Sequence, residues 1–169
     1  DFSDQLTFYY VIEPTSKYDT WNADVLAYGG QDLSDGSSAL RHYYHQQPTQ
    51  DNLLDEKIGL FGGNNFQLSY HNSASNYSQM DSPNIYKFEF NDGSLKLYIN
   101  GELVVQKTGP NLNDYLLNNH RFSLGSHDFQ DNGNEFHVDW DNNINFGELL
   151  LFNTVLNDDE NDAIMAYLG

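Results

Sequence analysis

The chain has 169 residues, 38% of them hydrophobic and 15% aromatic, which excludes a disordered acidic tail and suits one domain with a sizeable core. Its formal net charge is −18, from 25 acidic against 7 basic residues, which makes nucleic acid and anionic membrane surfaces poor partners. There are no cysteines, so disulfides and thiol-based zinc or nucleophile sites are excluded.

Asp4 to Glu13 alternates, with Leu6, Phe8, Tyr10 and Ile12 on one face and Thr7, Tyr9 and Val11 on the other, which predicts a strand stopped by Pro14. Short strands follow at Asp24 to Tyr28, Ala39 to His45, Lys57 to Phe61 and Phe66 to Tyr70. Polar and glycine-bearing loops separate them. The His42, Tyr43, Tyr44, His45 tip could stack on a ligand, although alternation sends half of it to the core.

Tyr86 to Lys107 then holds three runs and two hairpin turns, Asn91-Asp92-Gly93 and Asn100-Gly101, which supply the positive φ that a twisted hairpin needs. Leu95, Leu97 and Ile99 point one way, Lys96 and Tyr98 the other. Arg121 to Gly125 and Asn145 to Asn153 complete the strands. Asn157 can cap a final helix whose first turn is Asp158, Asp159 and Glu160, with Ala163, Ile164, Tyr167 and Leu168 as its apolar face. A single short helix after so many strands is expected to cover one open end of a sandwich. The order predicts an all-β jelly-roll β-sandwich of two antiparallel sheets with one short C-terminal helix, spanning 1–169 as a single domain. No apolar run approaches a membrane span, so membrane insertion is not expected. The abrupt start at Asp1 suggests a domain cut from a longer protein, and a monomeric module is expected.

Asp92 to Val105, D-G-S-L-K-L-Y-I-N-G-E-L-V-V, resembles the central hairpin of laminin-G-like domains of the concanavalin A-like lectin superfamily. Asn145 to Leu168 resembles their closing strand and helix, R-F-S-L-G-S (Arg121 to Ser126) a phrase of theirs, and L-T-F-Y-Y-V-I-E-P their opening strand. The resemblance implies the fold; it leaves function open, because this superfold hosts lectins, glycosidases and peptide binders alike. An acidic, Cys-free, Lys-poor module of this fold is also similar to ligand-binding domains of large calcium-dependent, RTX-type bacterial adhesins. That likeness implies an extracellular or cell-surface location and a ligand that is a cell-surface glycan or an exposed peptide end.

After Arg121 there is no Lys or Arg, while ten Asp and Glu follow. Within His127 to Asn143, the residues Asp128, Asp131, Asn134, Glu135, Asp139 and Asp141 form a set of oxygen donors of the kind calcium takes, six to eight at a time. From Asp128 the offsets approximate a calcium loop, but the third position is Gln130, the last is an Asp, and the flanking helices of an EF-hand are missing. The competing reading is a solvated acidic turn; the uncompensated charge favours calcium.

Three glycine-bearing loops form a second group: Tyr28-Gly29-Gly30-Gln31-Asp32, Phe61-Gly62-Gly63-Asn64-Asn65 and Gly125-Ser126-His127-Asp128. In a jelly roll such loops can gather at one end, where Gly admits a ligand to the backbone and Asp and Asn bond its hydroxyls. Tyr28, Gln31, Asp32, Gly63, Asn64, Asn65 and His127 are the expected ligand contacts. Resemblance to legume-type lectins implies Asp32, Gly63 and Asn65 as counterparts of their sugar-binding Asp, Gly and Asn.

No catalytic residues are expected. The tight Glu-x-Asp-x-x-Glu of the superfamily's glucanases is not matched at Asp139-Trp140-Asp141, and Glu89, Glu102 and Glu148 each sit alone on a predicted strand. There is no Gly-x-Ser-x-Gly elbow. The expectation is a non-catalytic, calcium-dependent binding module; a glycoside hydrolase or lyase and a structural spacer are the alternatives.

Overall fold

The computed structural model describes residues 5–14, 22–29, 38–45, 56–62, 65–72, 82–91, 93–108, 122–124 and 144–169. The described strands are β1 (Gln5–Pro14), β2 (Asn22–Gly29), β3 (Ser38–His45), β4 (Glu56–Gly62), β5 (Asn65–Asn72), β6 (Asn84–Asn91), β7 (Ser94–Ile99), β8 (Glu102–Thr108), β9 (Phe122–Leu124) and β10 (Ile144–Phe152). Among the described residues one helix, α1, spans Asp158–Leu168. The strands form two five-stranded sheets, ordered β10-β1-β6-β7-β8 and β5-β4-β3-β2-β9, and every pairing is antiparallel. Each sheet belongs to one of two compact units: Asp1–Thr15, Asn76–Asn113 and Ile144–Gly169 with the first sheet, Ser16–Ser75 and Asp114–Asn143 with the second.

The first sheet is built on the predicted meander. Asn100 and Gly101 turn β7 into β8 with φ of 50° and 87°, and Gly93 stands at 75° before β7. These are conformations that a β-branched residue resists and that Asn and Gly accept. Asn100 does further work: its side-chain oxygen accepts from the Ile85 N–H at 2.9 Å, and its own N–H donates to the Ile85 carbonyl at 2.8 Å. The turn is thereby locked to β6, which fixes the register Phe88↔Leu97 and Lys87↔Tyr98.

One face of this sheet carries Leu6, Phe8, Tyr10 and Ile12 from β1, Tyr86, Phe88 and Phe90 from β6, and Leu95, Leu97 and Ile99 from β7, all buried. The rings of Phe8 and Phe88 stack at 4.8 Å, and those of Tyr10 and Tyr86 at 4.9 Å, each pair directly opposed across the β1–β6 ladder. A bulge lies between β1 and β10 where Tyr10/Ile12 face Leu149/Phe146. Gly147 sits there, and a Cβ on it would stand 3.3 Å from the Val11 side chain, so a larger residue would require Val11 to give by a few tenths of an ångström.

The helix begins as predicted and lies elsewhere than predicted. Asn157 caps it, accepting from the Glu160 N–H at 3.0 Å, while the Glu160 carboxylate accepts from the Asn157 N–H at 2.9 Å. This is a reciprocal capping box. Instead of covering an open end, α1 crosses the second face of the first sheet, over Tyr9, Lys87 and Tyr98. Tyr9 donates to the Asn161 side chain, and Thr7 donates to the Thr154 carbonyl at 2.8 Å just ahead of the helix. The face turned to the sheet is Asn161, Ile164, Met165 and Leu168, all half-buried, whereas Ala163 and Tyr167 of the expected apolar face are exposed. Tyr167 instead reaches Glu148 at 3.1 Å. The helix is therefore held by hydrogen bonds as much as by apolar contact, which a purely apolar pattern does not register.

Of the second sheet the ladders are described, with His42 buried at the register position between Leu26 and Ile58. That places His42 among the core half of the predicted aromatic tip. Among the described residues no helix is long and apolar enough to cross a membrane.

Candidate functional site

The expected ligand loops attach to the second sheet. Its ladders align Gly29 with Ala39, Ser38 with Gly62, and Gly62 with Asn65, so the ends of β2 and β4 and the starts of β3 and β5 share one end of the sheet. Two of the three predicted loops, those bearing Gly29 and Gly62, therefore do leave from the same end. The backbones of Tyr28 and Asn65 are separated by three strand spacings, roughly 14 Å at about 4.8 Å each. The third loop leaves differently. β9 runs antiparallel to β2 with Leu124 opposite Leu26 and Phe122 opposite Tyr28, so the chain departs from Leu124 away from the Gly29 end.

Tyr28 and Asn65 are placed as backbone at strand ends. Gln31, Asp32, Gly63, Asn64 and His127 lie outside the described residues, as does the whole acidic set Asp128, Asp131, Asn134, Glu135, Asp139 and Asp141. Among the described residues no three His, Asp or Glu side chains are grouped to hold a metal ion.

A different concentration of chemistry lies on the helix-bearing face of the first sheet, where sequence reasoning placed none. Alternation puts Lys87 and Glu89 of β6 on that face, and the hairpin register sets Tyr98 opposite Lys87 and Lys96 opposite Glu89. The Glu89 carboxylate receives both ammonium groups, Lys96 Nζ at 2.8 Å and Lys87 Nζ at 3.1 Å. Glu89, expected to stand alone on its strand, is the centre of an ion triad. Lys87 also sits over the Tyr98 ring, 4.4 Å from its centroid, and 5.9 Å from that of Tyr9.

Burial pushes the Glu89 carboxyl up, but hydrogen bonds from Lys96 and Lys87 outweigh it and hold the carboxyl below its ordinary value. The same bond to Glu89 raises Lys96. Burial, with the Glu89 charge adding, pushes Tyr9 up to about 12 and raises Tyr98 as well. These residues floor a cavity of about 430 Å³. Asp158, Asn161 and Asp162 of α1 stand along it, and Ile85, Val155, Leu156 and Met165 supply apolar wall. The signal was present in the sequence: two hairpin-paired strands carry Lys, Glu, Lys and Tyr on one face, in a chain with only 7 basic residues.

No known sequence family matches the chain, and no curated protein sequence matches it. Solved structures do. Ruminococcus gnavus IT-sialidase CBM40 superposes with a TM-score of 0.62 at 16% identity, over 98% of this chain and 83% of that one. The same CBM40 bound to alpha2,3 sialyllactose gives 0.59 at 17% identity, with equal coverage. The binding domain of botulinum neurotoxin DC in complex with SialylT gives 0.59 at 11% identity, over 99% of this chain and 37% of that one. The fold is a concanavalin A-like jelly-roll β-sandwich. A native SAP-like pentraxin from Limulus polyphemus shares it, with a TM-score of 0.55 at 11% identity over 96% of this chain and 70% of that one. At these identities the likeness carries the architecture and no individual residue.

Proposed function

We propose that this chain is a non-catalytic carbohydrate-binding module. The observation that carries the reading is the likeness, over nearly the whole chain, to a CBM40 module whose structure holds sialyllactose. The strand-end platform of the second sheet supports it, because the Gly29 and Gly62 loops, rich in Gly, Asn and Asp, leave from one end. Asp32, Gly63, Asn64 and Asn65 in those loops offer the directional hydrogen bonds that sugar hydroxyls take. The non-catalytic part rests on the sequence, which does not match the Glu-x-Asp-x-x-Glu of the superfamily's glucanases, and on Glu89, whose oxygens are both committed to lysines.

The reading extends to calcium, held by Asp128, Asp131, Asn134, Glu135, Asp139 and Asp141, on the chemistry of that donor set and on the charge of −18. A laminin-G-like module of an RTX-type bacterial adhesin, displayed outside the cell, is the setting that this composition fits.

The test is a glycan array carrying sialylated and neutral oligosaccharides, read in millimolar calcium and again in EDTA. Binding to a defined glycan set, lost in EDTA and weakened by Asp32→Ala with the fold intact, is the expected result. A blank array together with capture of free peptide C-termini overturns the carbohydrate reading. Steady product release from an oligosaccharide overturns the non-catalytic one, and glycan binding that persists in EDTA removes calcium.

A further inference from the structure

The cavity between α1 and the first sheet takes no part in the proposed glycan site, which belongs to the other sheet. Two of the chain's 7 basic residues line it, sharing the single carboxylate of Glu89. Lys87 and Glu89 are buried, at 8% and 7% exposure, while the Lys96 side chain is 32% exposed, and the triad carries a net positive charge. The excess positive charge falls on Lys96, the member open to the cavity, where an anion can meet it. On the opposite side of the cavity Asp158 and Asp162 lie one helical turn apart on α1, both exposed, and neither makes an ion pair among the described residues. Ile85, Val155, Leu156 and Met165 supply its apolar lining. About 430 Å³ is at the small end of ligand pockets.

We propose that this cavity binds a free α-amino acid with an apolar side chain. The ligand carboxylate joins Lys87 and Lys96 beside Glu89, its ammonium faces Asp158 and Asp162, and its side chain rests on Ile85 and Met165. A simple anion would satisfy the floor and be repelled at the rim; a simple amine would do the reverse. A zwitterion answers both, which is why this class fits and a monocarboxylate does not. The Asn161 amide donates to the Leu156 and Asn157 carbonyls, and its oxygen accepts from Tyr9, which holds the helix side of the cavity in place without using a charged group.

The experiment is isothermal titration of the intact chain with L-leucine, 4-methylpentanoate and 3-methylbutylamine, the last two each keeping one of leucine's charges. Leucine should bind saturably, and each single-charge analogue about tenfold more weakly or worse, the loss of one charge-assisted contact. Asp162→Asn, on the exposed rim, should reduce the preference for leucine over 4-methylpentanoate, and the double variant Asp158→Asn/Asp162→Asn should abolish it. Lys96→Met should reduce the preference over 3-methylbutylamine. The variants are checked by thermal melt; if Lys96→Met fails to fold, Asp162→Asn and the analogue series still decide. No heat with millimolar leucine overturns the proposal, and so does 4-methylpentanoate binding as tightly as leucine. The glycan array is indifferent to either outcome, so the two readings fail separately.

Discussion

Along β1 both faces of the first sheet are buried, yet they are held by different means. The face of Phe8 and Tyr10 is closed by stacked rings and aliphatic side chains, with no charge on β1, β6 or β7 turned into it. The face of Thr7 and Tyr9 is covered by a helix whose first half is polar, joined to it by the Tyr9–Asn161 hydrogen bond and preceded by the Thr7–Thr154 one, and the same face of the sheet carries the lysine–glutamate–lysine triad. The first kind of burial is non-directional and grows with area. The second is worth little net energy per contact but is expensive to leave incomplete. The apolar face therefore supplies stability, and the polar face determines where one helix sits.

The comparison can be broken most forcefully on the apolar side. Phe88→Ala removes a ring stacked between β1 neighbours and should cost about 3–5 kcal/mol in a denaturant melt. On the polar side, Glu89→Ala removes the carboxylate that both lysines share and should cost about 1–3 kcal/mol, less than a fully buried pair because Lys96 is 32% exposed, with Glu89→Gln recovering part of it. The pH dependence sharpens this. Because the folded-state value for Glu89 is held below its unfolded one, its contribution is complete above the unfolded value and is lost as pH falls through the folded one. An acid titration of stability should show that loss in the native chain and lack it in Glu89→Gln.

Tyr9→Phe keeps the ring and deletes the bond to Asn161, for an expected cost of about 1–2 kcal/mol. The native Tyr9 phenol, raised to about 12, contributes stability that is complete below the unfolded value near 10 and fades as pH climbs to the folded one. That alkaline decline should be weaker in Tyr9→Phe. Asn157→Ala opens the capping box at a cost of about 1 kcal/mol and should appear first as faster amide exchange in α1, with the ladders of the sheet unaffected. If Phe88→Ala proved milder than Glu89→Ala, the division of labour between the faces would be reversed.

How much of this was legible in the sequence follows the same division. Alternation at Leu95, Leu97 and Ile99, the Asn100-Gly101 turn and the Asn157 cap were readable because each rests on a local rule, and each stands in the structure. The position of α1 was not, because its anchors, Tyr9 to Asn161 and Thr7 to Thr154, join residues about 150 positions apart. The ion triad lay between these cases. Its register is local to the β6–β7 hairpin, but taking Glu89 one strand at a time hid the partner directly across from it. The acidic set from Asp128 to Asp141 and the ligand residues Gln31, Asp32, Gly63, Asn64 and His127 fall outside the described residues, so the sequence alone speaks for them.

The course of α1 also governs how the first unit would carry tension. β10 ends beside the start of β1, with Phe152 opposite Thr7; without the helix, a pull on Gln5 and on the chain after Phe152 would peel that ladder open one bond at a time. The helix returns the chain along the sheet to Gly169, which lies against Ile85 near the far end. Its 11 residues extend about 16 Å at 1.5 Å per residue. A load between Gln5 and Gly169 is then directed along the strands, so the helix–sheet contacts must slide together before the ladder is exposed. The strap that closes the polar face converts a zipper into a joint loaded in shear.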